Sequence, residues 1–176
     1  MLSVIPDAGA NMENKIQSDG KHSVRELVVR MCDDDRVVAI TAGRALWKVV
    51  RWSGRPNAER ERAAAAGQLR VLVNENLPIN VRREMLWMIS EIGGDDSVDV
   101  VSPLLLDVEL REDARMVLER IPGDKSLAAL RTAWDTVSDE FRSHIAQSLR
   151  VRGDTVKGYA CKKMVPTKST GVRAIH

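Results

Sequence analysis

Three Gly-Asp pairs, Gly94-Asp95, Gly123-Asp124 and Gly153-Asp154, stand 29 and 30 residues apart. Each follows an aliphatic residue (Ile92, Ile121, Val151). Further back lie Ile89, Leu118 and Leu149, then Met85, Ala114 and Ile145, then an apolar-Arg pair: Val81-Arg82, Leu110-Arg111, Phe141-Arg142. The third copy slips by one residue between its start and its Gly-Asp. Self-similarity at this period is the signature of stacked units. Glycine tolerates the positive φ that often closes a helix, and aspartate caps the free N–H groups that open one. A Gly-Asp pair therefore reads as the end of one helix and the start of the next.

Shorter helical stretches lie between the copies, at 95–106 and 124–137, each joined to the following helix by a short turn. Pro103 should kink or break the first. Upstream, Pro56 to Asn74 reads as one Ala-rich helix with proline at an allowed first-turn position. Ser23 to Cys32 and Arg36 to Trp52 read as another pair around an acidic Asp33-Asp34-Asp35 turn that suits a terminal unit. The expectation is an all-α chain of four hairpins, 22–52, 56–93, 95–122 and 124–152, within a repeat domain at 21–152. Residues 1–20 and 153–176 lack periodicity and are read as tails. Aromatic residues make up 3% of the chain, so aliphatic and alanine packing must fill the core.

The motifs "VRREMLWMISEIGGD" and "LREDARMVLERIPGD" resemble the second helix of short HEAT-like repeats, of the kind also seen in phycobilin lyase subunits. The resemblance covers about residues 22–152 and implies an α-solenoid whose second helices line a concave binding side. It also implies a structural ladder in which Arg82, Arg111 and Arg142 pair with acidic turn residues, with Asp107, Glu109 and Asp139 near them. Asn76 and Asn80 stand where the Val81 copy would need an acid.

On a helical wheel, Met85, Met88, Ile89 and Ile92 cluster while Arg83, Trp87 and Ser90 oppose them. The same positions in the later copies are Glu112, Met116 and Glu119, then Ser143, Gln147 and Arg150. These nine are the candidate partner-binding residues. Two readings of Trp87 stand: an exposed hot spot, or a side chain packed between hairpins. Trp134 reads as core. Trp47 and Trp52 sit in a helix of ambiguous phase, with no basic stripe beside them.

No catalytic constellation is apparent. His22, His144 and His176 stand apart, and His144 reads as partly buried or exposed rather than catalytic. There is no GxSxG, P-loop or GxGxxG. No His-Glu dipeptide matches HEAT-like di-iron hydroxylases. The two cysteines, Cys32 and Cys161, form no metal-site spacing. The acidic turns read as helix caps. From Gly153 onward five basic residues face one acid, so a chain of net charge +2 has a slightly acidic body. A nucleic-acid-binding body would show the opposite.

No run approaches the roughly 18 apolar residues of a membrane span, and the first residues do not look like a signal peptide. The expectation is a cytoplasmic, monomeric, non-catalytic scaffold or adaptor. It would bind a protein partner through its concave face and need no cofactor or metal. The alternatives are a nucleic-acid-binding protein similar to HEAT-like DNA glycosylases, and a phycobilin-lyase-like subunit.

Overall fold

The computed structural model describes residues 22–159. The expected tail at 1–20, Cys161, His176 and most of the basic C-terminal tail lie outside them. Among the described residues there are eight α-helices and no strand: α1 (Val24–Met31), α2 (Arg36–Ser53), α3 (Glu59–Leu72), α4 (Ile79–Ile92), α5 (Asp95–Val101), α6 (Arg111–Arg120), α7 (Asp124–Thr136) and α8 (Asp139–Val151). A 3₁₀ segment, Ser102–Leu106, continues α5. It begins one residue before Pro103, as expected where a ring removes a helical N–H.

Local chemistry sets the helix ends. Ser23 and Glu26 form a reciprocal capping box at the start of α1. The Asp35 carboxylate accepts from the Val37 N–H at 2.8 Å and caps α2. The expected start of α3 at Pro56 moves to Glu59. Asn57 takes a left-handed φ of 61°, which no helix interior tolerates.

The Gly-Asp pairs work differently from the expectation. Gly94 and Gly123 are themselves the N-cap residues, and Asp95 and Asp124 are the first helical residues. There the carboxylates complement the positive end of the helix dipole rather than cap it through hydrogen bonds. Gly123 takes a φ of 101°, with Asp95 Oδ1 3.1 Å from where a Cβ would stand. Gly94 is extended; in this unit the crowding falls on Gly93, where a Cβ would come within 2.5 Å of the Ile89 carbonyl.

The third copy also departs from the expected register. Ile92 and Ile121 are buried, but Val151 is 58% exposed. The apolar series Phe141, Ile145, Leu149 continues in helical step, which turns Val151 outward and puts Arg152 where Ile121 stands one unit earlier.

The helices pack as hairpin pairs: α1 with α2, α3 with α4, α5 and its 3₁₀ extension with α6, and α7 with α8. The even-numbered helices also pack in succession, α2 on α4, α4 on α6 and α6 on α8. The odd-numbered ones do the same from α1 to α7. One apolar cluster runs through the whole, from Val24 to Leu149, with Leu46, Leu69, Met85, Leu86, Ile89 and Leu118 fully buried. Each such side chain contributes roughly 1.5–3 kcal/mol of transfer free energy. Residues 153–159 are not a detached tail. Asp154 pairs with Arg131 of α7 at 2.6 Å, and the Tyr159 ring meets Trp134 edge-on at 5.1 Å. No helix among the described residues is long and apolar enough to cross a membrane.

Candidate functional site

The nine predicted residues all fall within the even-numbered helices α4, α6 and α8. Arg83 and Trp87 are exposed on α4, Glu112 on α6, and Ser143 and Gln147 on α8. Met116, Glu119 and Arg150 are half-buried. Ser90 is not a surface residue: it is 9% exposed, donates to the Trp87 carbonyl at 2.7 Å and accepts from Arg120 at 3.3 Å. Helix α4 has neighbours on both sides, so its buried arc is wider than the four-residue apolar stripe suggests.

Several polar groups on this face join one even-numbered helix to the next. The Trp47 indole N–H of α2 donates to the Glu84 carboxylate of α4. The Trp87 indole N–H of α4 donates to Asp113 of α6 at 2.9 Å. Arg83 reaches the same carboxylate at 3.4 Å and donates to the Glu109 carbonyl at 2.8 Å. The Trp87 side chain is 49% exposed, and its polar end bridges two hairpins.

Between α6 and α8 the bridge is built from different groups. Glu112 contacts His144 Nδ1 at 2.7 Å and Arg115 Nε at 2.7 Å. Arg115 also donates to Glu119 at 2.8 Å and to the Ser148 hydroxyl at 2.6 Å, and that hydroxyl donates to Glu119 at 2.7 Å. Burial pushes the Glu112 carboxyl up, but the hydrogen bonds from Arg115 and His144 outweigh it and hold the group below its ordinary range. A general acid needs the opposite shift, toward neutrality.

Of the three arginines of the expected ladder, Arg142 pairs with Asp139, one of the acids expected near it, though within its own helix, while Arg82 and Arg111 take other partners. Arg82 donates to the Val73 carbonyl at 2.9 Å, and Arg142 to the Trp134 carbonyl at 2.9 Å. Each therefore satisfies the C-terminal carbonyls of the first helix in its own hairpin. The Arg111 guanidinium lies over the Phe141 ring of the next unit, 4.7 Å from its centroid.

A cleft of about 400 Å³ opens where α4, α6 and α8 begin, lined by Arg83, Glu109, Glu112, Asp113, Phe141 and His144 among others. Its side chains are the bridging groups just described. No group of three or more His, Cys, Asp or Glu side chains among the described residues is placed to hold a metal ion.

Reasoning from sequence missed Asp113, Arg115, Ser148 and Arg152; His144 is exposed, within the expected range, but its bond to Glu112 was not foreseen. A signal for some of them was present. Glu84, Asp113 and His144 occupy one phase of the repeat, three residues after Val81, Leu110 and Phe141. That phase is where Trp47 and Trp87 of the preceding even-numbered helix land. Comparison with known proteins finds no matching family model, curated protein or solved structure.

Proposed function

We propose that this chain is a non-catalytic α-solenoid of four HEAT-like hairpins that binds a protein partner across the face of its even-numbered helices. The observation that carries the reading is the succession α2 on α4, α4 on α6 and α6 on α8, alongside the matching succession of odd-numbered helices. Units that bury their apolar sides only against neighbours stack into extended surfaces. The polar groups on this one support the same reading, because they are used to fix the spacing between helices. Trp87, Met116 and Gln147 occupy equivalent positions of three units and form the centre of the proposed contact.

Quantitative affinity capture tests the reading. The tagged wild type is compared with a variant carrying Trp87→Ala, Met116→Glu and Gln147→Glu, after circular dichroism has verified that the variant is folded. The expected outcome is a defined set of proteins retained by wild type and lost from the variant. Equal recovery by both would reject this face as the binding surface.

A further inference from the structure

The charge on the even-numbered helices is unevenly shared. Helices α4, α6 and α8 each carry as many acidic as basic residues, whereas α2 carries Arg36, Arg44, Lys48 and Arg51 and no acid. Arg44, Lys48 and Arg51 are spaced four and three residues apart, so they share one stripe, spanning about 60° of the helix circumference. It runs about 10 Å along the helix axis at a rise of 1.5 Å per residue. The three within α2 are exposed. This corrects the expectation that no basic stripe stands beside Trp47 and Trp52: the four-three spacing is legible in the sequence, and Arg51 lies over the Trp47 ring.

Apolar groups flank the stripe. Val37 is 72% exposed and Ile40 42% at one end, and Trp52 is 66% exposed at the other. Helix α2 is also the first of the even-numbered series. It packs on α4 on one side, and no even-numbered helix precedes it among the described residues. The outward face of α2 thus carries a basic stripe with apolar ends, and Ile40, Arg44 and Arg51 also line the clefts shared with α4.

We propose that this face of α2 binds an acidic amphipathic helix of a partner protein. The partner's carboxylates, repeating every three or four residues, would lie along Arg44, Lys48 and Arg51. Its apolar side chains would cover Val37, Ile40 and Trp52. The inference rests on the reading of the even-numbered helices as a partner-facing surface, and it names the partner's chemistry. Glu84 and Glu91 line the same clefts as Arg44 and Arg51, and Asp33 to Asp35 precede the start of α2. These carboxylates act against any anionic partner, so what separates a helix from a nucleic-acid strand is the exposed Val37, Ile40 and Trp52, which apolar side chains cover and a phosphate chain does not. The two indoles are also partly taken for base stacking: Arg51 lies over the Trp47 ring at 5.4 Å and Arg55 over the Trp52 ring at 4.1 Å. A helix carrying both acids and apolar residues uses every feature of the face.

Fluorescence anisotropy on the full chain tests the proposal. One probe is a labelled 18-residue helical peptide with Glu at positions three and four apart and Leu on the adjoining face. The others are the same peptide with Lys for Glu, and a 20-nucleotide oligothymidine. The expected result is binding of the Glu peptide alone, weakening with added salt. Binding should fall about tenfold or more in R44E/R51E and be retained in R44K/R51K. Failure of this site and failure of the α4–α8 surface are read separately: loss of Glu-peptide binding in R44E/R51E supports the α2 site whatever the affinity capture with Trp87→Ala/Met116→Glu/Gln147→Glu returns. The proposal is overturned if the Glu peptide does not bind, or binds R44E/R51E equally well. Tighter binding of oligothymidine would overturn it too, as would self-association of the chain that R44E/R51E abolishes.

Discussion

Arg152 occupies the place that isoleucine holds one unit earlier, and its guanidinium makes the substitution workable. It donates to the carbonyls of Leu118, Ile121 and Gly123 and to the Ser126 hydroxyl, at the C-terminal end of α6. The Leu118 carbonyl lies in the last turn of α6, where carbonyls lack an intrahelical partner, and the Ser126 hydroxyl also donates to the Ile121 and Gly123 carbonyls. Charge-assisted bonds of this kind are worth about 1.5–3 kcal/mol where solvent is partly excluded. Arg152→Ala should therefore destabilise the fold by about 2 kcal/mol in urea unfolding, while Val151→Ala next to it should be close to neutral. A second residue-scale test uses pH. The folded-state Glu112 carboxyl ionises below its ordinary 4.5. Its contribution is thus complete above the unfolded value and is lost as pH falls through the folded one. Glu112→Gln should flatten the acid limb of the stability profile, read by thermal unfolding between about pH 3 and 6. An unchanged acid limb would show that the bridge to Arg115 and His144 does not contribute.

At the scale of helices and turns, the two Gly-Asp junctions that open α5 and α7 make opposite predictions. Gly123 combines positive φ with a close aspartate, so Gly123→Ala should cost about 1–2 kcal/mol. Gly94 is extended with open space around it, so Gly94→Ala should lie within about 0.5 kcal/mol of wild type. Equal effects would show that the junctions are conformationally alike.

The contrast also marks what the sequence could disclose. Helix number, the hairpin pairing and the break at Pro103 were legible, because periodicity and breaker residues act locally. The start of α3 was not, because it turns on the backbone of Asn57. Ser90 was misplaced for a different reason: a wheel assumes one buried face, and α4 is covered by α2, α3 and α6. The bridges escaped because a hydrogen bond between hairpins depends on how two units are set side by side. Repeat phase brings Trp87 near Asp113, but it does not say that the indole will reach the carboxylate.

For the molecule as a whole, the main packing of every helix is within its own hairpin or against an adjacent one. On the proposed solenoid reading, stability is close to a sum over neighbouring units, and the ends open first. Native-state hydrogen exchange should find α4 and α6 best protected, with lower protection in α1 and α8. Uniform protection from α1 to α8 would point instead to a single cooperative unit.

The bridges between even-numbered helices have a consequence for modularity. Indole meets carboxylate at the first two junctions, and carboxylate meets imidazole at the third. Each unit therefore carries an address for its successor. Excising residues 95–122 would set the Trp87 N–H against His144 in place of Asp113. Duplicating the last hairpin would ask Arg152 to find a second set of open carbonyls. The order and number of hairpins are written into these junctions, so this chain should resist the unit swaps that uniform repeats accept.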